Sequence, residues 1–174
     1  MHTIVTQRLK GHAISPRDQA NINLMHENSL VMAKQGGIQS HQTSVDYLKW
    51  NKQHWEREGF GIWILHSLET DQFVGQAGIR IIEIGGMEEN ELIYAFMPEY
   101  WGQGLATEIG RVSLAMAFEC LKQESVICFA ALENKASFHV MEKLGFSFEK
   151  YFMLEGIKNA LYRLSKQKYF KIAR

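Results

Sequence analysis

Proline and cysteine are scarce, with two of each among 174 residues. Cys120 and Cys128 sit in apolar surroundings without Cys-x-x-Cys spacing, which points to buried free thiols rather than a disulfide or a catalytic pair. The seven histidines are scattered and form no His-Glu-x-x-His motif, so no metal site is supported. Long hydrophobic runs are missing as well. The longest, Val126 to Leu132, is far too short to cross a bilayer, and no apolar signal core opens the sequence. Charge of one sign is absent, because 19 basic and 19 acidic side chains cancel. Broad attraction to nucleic acid or to a membrane surface is therefore not expected. There is no repeat, low-complexity tract or linker. With 46% of its side chains hydrophobic, the chain is expected to form one domain over residues 1–174 with an adequate core, in the cytoplasm.

The pattern alternates strands and helices. Residues 3–14 read as a first strand. Ser15-Pro16-Arg17-Asp18 is a helix start, with Ser15 as N-cap and Pro16 at the first helical position, and the helix is expected over 16–33. Gly36-Gly37 breaks the chain, and Ser44 can cap a second helix that carries Val45, Leu48, Trp50 and Trp55. Strands at 60–68, 73–84 and 91–97 form an antiparallel meander. Leu105, Ile109, Val112 and Met116 then make the core stripe of a helix. The strand 125–132 is apolar at nearly every position, as when both faces are covered. Asn134 opens another helix that Gly145 stops. Residues 146–152 and 161–165 read as a closing hairpin around Glu155-Gly156.

Residues 91–107 carry the most information. An apolar strand runs into Pro98, then into a turn paired by Gly102 and Gly104, then into a helix starting near Leu105. Glycine permits positive φ and close approach of the backbone to a ligand. Amides gathered in front of a helix N-terminus suit a phosphate or pyrophosphate, and Gln103 and Thr107 add neutral donors. The plain alternative is an ordinary strand-to-helix loop that uses glycine for geometry. The segment is not a Walker loop, because no Gly-Lys-Ser/Thr follows. It is not the dinucleotide fingerprint either, since the second and third glycines are misplaced.

The stretch Pro98-Glu99-Tyr100-Trp101-Gly102-Gln103-Gly104-Leu105-Ala106-Thr107-Glu108 closely resembles the acyl-CoA loop of the GNAT N-acetyltransferases. It is most similar to the RimJ/RimL type, named for ribosomal-protein N-terminal acetylation. The superfamily pattern is Arg or Gln, two residues, Gly, one residue, then Gly or Ala. It falls here on Trp101, Gly104 and Ala106, with Trp101 departing from the usual first residue. Downstream, Asn134-Lys135-Ala136-Ser137 and Glu142-Lys143-Leu144-Gly145-Phe146 resemble the branch's Asn-x-x-Ser…Glu-Lys-Leu-Gly-Phe helix. Thr6-Gln7-Arg8-Leu9 is a weaker echo of its Thr-x-Arg-Leu start.

The resemblance implies an α+β (mixed α/β) fold, with a twisted, mostly antiparallel sheet of about seven strands and about four helices. It also implies a V-shaped splay between the strands at 91–97 and 125–132, with acetyl-CoA as cosubstrate in the V. By the same resemblance, the pyrophosphate sits on the amides of Trp101, Gly102, Gln103, Gly104, Leu105 and Ala106, with Thr107 beside them as a cofactor-binding donor, and the pantetheine arm pairs with Phe96 and Met97. Asn134, otherwise a helix N-cap, contacts that arm or positions the helix beside it. Ser137 faces the sulfur as the acid; read without the resemblance, it is a backbone-bonded or solvated serine. The tyrosine acid of many GNAT enzymes is absent, because Met141 occupies its position, and this leaves the role to Ser137 or to water.

For the base, Glu91 matches the glutamate of several GNAT enzymes, and a carboxylate there can relay an amine's proton through one water. The alternative is a solvated acidic turn with Glu88 and Glu89, and Glu83 is the reserve. Tyr47, Trp50, Trp55, Trp63 and Tyr151 are candidates for an acceptor wall, although aromatics at such spacing are more often core.

The expected reaction is direct attack of a primary amine, either a small molecule or a protein N-terminus, on acetyl-CoA. No covalent enzyme intermediate is needed, since neither cysteine has an evident activating partner. Neither metal, nucleic acid nor membrane takes part, and a homodimer is suggested by family habit. Two other readings stand beside this one: a non-catalytic acyl-CoA-binding module of the same fold, and an unrelated nucleotide-binding domain.

Overall fold

Alternation of apolar and polar residues sets the strands, and the register of their pairing sets the rest. The computed structural model describes residues 2–33 and 35–172. Among them eight strands form one sheet, in the order β1-β2-β3-β4-β5-β6-β8-β7. The strands are β1 (Thr3–Val5), β2 (Leu9–Ala13), β3 (Ile62–Ser67), β4 (Phe73–Ile84), β5 (Met87–Phe96), β6 (Ser125–Ala131), β7 (Ser147–Leu154) and β8 (Ile157–Ser165). All neighbours are antiparallel except β5 and β6. That parallel pair follows from the helix between them, since a crossover returns the chain in the same direction. It has a single pairing, Glu91↔Ile127. Beyond that point the two strands diverge, which is the expected V. The mixed α/β fold and its splay are those the resemblance implies.

Six α-helices cover the sheet among the described residues: α1 (Gln19–His26), α2 (Ser29–Met32), α3 (His41–Glu58), α4 (Leu105–Ala115), α5 (Lys135–Lys143) and α6 (Lys166–Ile172). The core holds Trp63, Phe118, Ile22, Ile64, Ile79 and Met141, all essentially inaccessible to solvent. Met116 and Ile109 lie in it too, as the stripe predicts, and Val112 is only partly buried. After Ala115 the helix widens into a π turn over Met116–Cys120. The extra residue rotates Met116, Ala117 and Phe118 inward together. Cys120 is thereby left exposed, and only Cys128 is the buried thiol expected.

Several boundaries differ from the sequence reading, each for a local reason. The first strand is a hairpin, turned where Thr6 N–H bonds Leu9 O at 2.8 Å. The helix expected over 16–33 breaks into a 3-10 turn, α1 and α2, because Asn28 accepts from Leu30 and Val31 amides and starts a new helix. Ser40, not Ser44, caps α3. Ser44 lies one turn inside, buried, with its hydroxyl 2.8 Å from His26 Nδ1. The closing hairpin is longer than expected, and α6 follows it.

Candidate active site

The glycine turn joins β5 to α4 through a short 3-10 turn at Pro98–Tyr100. Gly102 has φ +72 and Gly104 φ +79, the left-handed region in which a side chain costs conformational energy. Gly104 is the N-cap of α4 and offers no side-chain cap. The Trp101 N–H, expected to face the pyrophosphate, is instead taken by Pro98 O at 3.1 Å, which closes the 3-10 turn, whereas none of the amides from Gly102 to Thr107 has a backbone or side-chain acceptor among the described residues. Residues 101–104 are exposed, Leu105 is buried as the anchor, and Ala106 and Thr107 are half-buried. Six successive N–H groups at a helix start are therefore unpaired, where the aligned peptide dipoles favour an anion.

Other groups brace this turn. Trp101 Nε1 donates to Phe96 O at 2.7 Å, and Gln103 Nε2 donates to Glu99 O at 2.8 Å. Arg8 Nη1 donates to Gln103 O at 2.8 Å, while Arg8 Nε and N–H bond the two oxygens of Glu108. Thr6 Oγ1 donates to the same carboxylate at 2.6 Å. Burial opposes ionisation of Glu108, but the bonds from Thr6 and Arg8 outweigh it and hold the carboxyl below its usual range. Arg8 is thus a site residue that the glycine motif alone does not reveal. Its sequence signal is the Thr6-Gln7-Arg8-Leu9 opening, which proves to be wired to α4.

The wall of the splay is set by strand alternation. Met97 N–H donates to Val74 O at 2.9 Å, and the register runs on through Gly75↔Phe96 and Gln76↔Ala95. Ala95 and Met97 therefore turn their peptide groups to β4, whereas Tyr94 and Phe96 turn theirs toward the splay. Of the two residues expected along the arm, Phe96 presents its N–H and Met97 does not, because the sheet consumes its donor.

Across the splay, Asn134 occupies the N-cap position of α5 without making a side-chain cap bond. Its backbone N–H bonds Ala131 O at 2.9 Å, and its side-chain amide is left for another partner. Ser137 is half-buried in the first turn, and its carbonyl accepts from Tyr94 Oη at 3.2 Å. Burial, and then the neighbouring Cys128, push the Tyr94 hydroxyl far above its ordinary pKa, so it keeps its proton. Tyr94 escapes sequence reading because only the β5–β6 splay and α5 together place it. Burial, and then Glu91, likewise push the Cys128 thiol far up, so it stays protonated and weakly nucleophilic. Met141 is wholly buried and carries no proton to give.

On the opposite face of β5, Glu91 is buried and accepts from Arg80 Nε at 2.5 Å. The two residues are directly opposed across β4 and β5. The solvated acidic turn describes Glu88 alone, because Glu89 takes two bonds from Arg163 at 2.6 and 2.9 Å. Glu83 is exposed and an odd number of residues from Arg80 on the same strand, hence on the other face. Beside Arg80 lies a hollow of about 370 Å³, lined by Thr43, Asp46, Tyr47, Trp50, Arg80 and Ile82. Tyr47 and Trp50 thus line a cavity. Trp55 and Trp63 are core instead, with Trp55 Nε1 bonded to Ile62 O at 2.8 Å. Tyr151 stands exposed on the edge strand β7. Among the described residues no group of three or more His, Cys, Asp or Glu is disposed to hold a metal, and no helix is long and apolar enough to cross a membrane.

A mixed α/β sheet splayed between β5 and β6, with a run of unpaired amides at the mouth of the splay, is the frame of this site. The chain belongs to the GNAT acetyltransferase family: the family model described as "Acetyltransferase (GNAT) domain" matches residues 8–147. An uncharacterised Bacillus subtilis protein, YkkB, is 29% identical over 148 residues, covering 84% of this chain and 86% of that protein. Spermidine N(1)-acetyltransferase of Escherichia coli is 31% identical over 86 residues, only 49% of this chain and 46% of that enzyme. Among solved structures, an acetyltransferase from Agrobacterium tumefaciens superposes with TM-score 0.83 at 21% identity, covering 94% of each chain. Spermidine N-acetyltransferase from Vibrio cholerae, crystallised with CoA and spermine, gives TM-score 0.72 at 19% identity, covering 93% of this chain and 98% of that one. These two share the fold. The two of these named for a substrate are spermidine acetyltransferases, and the RimJ/RimL branch is not singled out.

Proposed function

We propose that the protein transfers an acetyl group from acetyl-CoA to a primary amine by direct attack within a ternary complex. The observation that carries this reading is the run of unpaired amides from Gly102 to Thr107 at the left-handed N-cap of α4, at the open end of the splay that begins beyond Glu91↔Ile127. The cradle fits a diphosphate, and the outward-facing N–H of Phe96 and the uncommitted side-chain amide of Asn134 fit the amide-rich arm that follows it. When bound, acetyl-CoA supplies the activated acetyl thioester.

The remaining chemistry belongs to side chains of this protein. Glu91 holds one carboxylate oxygen on Arg80 and has the other for an amine proton passed through water. Ser137, fixed in place by the bond from Tyr94 to its carbonyl, gives a proton to the departing sulfur. The Phe96 N–H stabilises negative charge as it develops on the acetyl oxygen. Direct attack is favoured over a covalent enzyme intermediate because the Cys128 thiol holds its proton. The acceptor is an amine, as in the spermidine acetyltransferase relatives.

The test is acetyl-CoA-dependent release of thiol, measured against a panel of small amines and short peptides. Turnover on at least one amine supports the reading. Tight CoA binding with no turnover on any amine leaves the binding-module alternative instead. Greater thermal stabilisation by ATP than by CoA would overturn both.

A further inference from the structure

The hollow beside Arg80 is not built for a polycation. Arg80 spends only Nε on Glu91, and its two Nη groups have no protein partner among the described residues. They are not sealed away: the Arg80 side chain keeps 19% of its surface accessible, and the residue lines the hollow of about 370 Å³. Its charge is secure, since Glu91 and Tyr47 more than offset the effect of burial on the guanidinium. The guanidinium carbon lies over Trp50, 5.9 Å from the ring centroid. The remaining walls are the Tyr47 ring, Ile82 and, at the rim, Thr43 and Asp46. Asp46 already accepts a hydrogen bond from Gln42 at 3.1 Å.

We infer that this hollow recognises an acceptor carrying a carboxylate close to its amine, namely an α-amino acid with an apolar side chain. A guanidinium with a free planar edge is the preferred partner of a carboxylate, because two parallel N–H···O bonds match both geometry and charge. In an α-amino acid the amine is one carbon from the carboxylate. Seating the carboxylate on the Nη edge holds the amine one carbon away inside the hollow, while Glu91 keeps the Nε side of the same guanidinium. The apolar side chain then lies against Tyr47, Trp50 and Ile82. A polyamine has the opposite requirement: it needs several carboxylates, and the hollow would meet it with a fixed cation. This inference rests on the acetyl-transfer reading and narrows its acceptor.

The experiment compares leucine, leucinamide and spermidine as acceptors for the full chain, reading kcat/KM by thiol release. Leucine is expected to exceed leucinamide by about 10- to 100-fold, the usual worth of a charge-assisted pair. In R80K, which keeps the charge but loses the fork, the leucine-to-leucinamide ratio should fall toward one. A purely structural role for Arg80 would slow both acceptors alike and leave that ratio intact, which would overturn the inference. Equal use of leucine and leucinamide by the native chain, or preference for spermidine, would overturn it while leaving acetyl transfer standing. If no amine is turned over, acetyl transfer fails, and thermal shift of the CoA-bound chain still decides the recognition claim. Stabilisation by leucine and not by leucinamide supports it; equal or absent stabilisation by the two overturns it.

Discussion

Gly104 does two jobs with one missing carbon. Its φ of +79 starts α4 without a cap side chain, and an added Cβ would come no nearer to protein than 3.7 Å, from Arg8 Nη2. The position is open toward solvent, so a larger side chain would project into the space an anion must occupy. G104V is expected to weaken CoA binding at least tenfold by titration calorimetry, beyond any loss of thermal stability from backbone strain of about 1–2 kcal/mol. Unchanged affinity in a folded G104V protein would remove the cradle assignment. Glu91 is a sharper test of chemistry. E91Q keeps an acceptor for Arg80 but cannot take a proton, so kcat should drop by about 10²–10⁴-fold while CoA affinity holds. A loss confined to KM would make Glu91 a binding group and not the base.

At the scale of elements, the splay needs a closed end as much as an open one. Arg163 on β8 bonds Glu89 on β5 at 2.6 and 2.9 Å, Ser125 on β6 at 2.8 Å, and Glu149 on β7. One side chain thus ties four strands just below the point of divergence. The pairs are partly exposed, so their worth is well under that of a fully buried ion pair. R163M is expected to cost about 1–2 kcal/mol and to lower Tm by about 2–8 °C; an unaltered Tm would show the clasp to be ornamental to stability. The clasp also marks where sequence reading stops. The β5 strand, the glycine turn and the start of α4 are legible because Pro98, Gly102, Gly104 and the stripe from Leu105 act on their immediate neighbours. Arg80 against Glu91, or Arg163 against Glu89, depends on register between distant segments, and no local pattern encodes it. Ser40 and Ser44 illustrate the intermediate case. Both suit a helix start, and the contact of Ser44 with His26 in another helix decides between them.

For the whole molecule, histidine burial couples stability to pH. His54 joins α3 to two strand edges: Nδ1 lies 2.9 Å from Phe60 O, and Nε2 accepts the Ile81 N–H at 2.9 Å. That pair of bonds requires the neutral ring, since a protonated Nε2 cannot accept. Burial lowers the pKa of His54, and burial also lowers those of His26 and His66. The folded values thus lie below the ordinary 6.5, so the unfolded chain binds more protons as pH falls and unfolding gains. Their contribution is fully present above 6.5 and is lost as pH falls from there through the folded values. Glu108, also held low, loses its contribution only as pH falls below its ordinary 4.5, so its window opens at a lower pH than that of the histidines. Thermal melts at pH 8, 7, 6 and 5 should therefore give a level Tm down to about 7 and a decline below it. H54Q can offer a non-titrating acceptor and donor in the same place, so its decline between about pH 6.5 and 5 should be shallower than that of the native chain. Parallel melting curves for the two proteins across that range would mean that the neutral His54 ring is not what links α3 to the sheet.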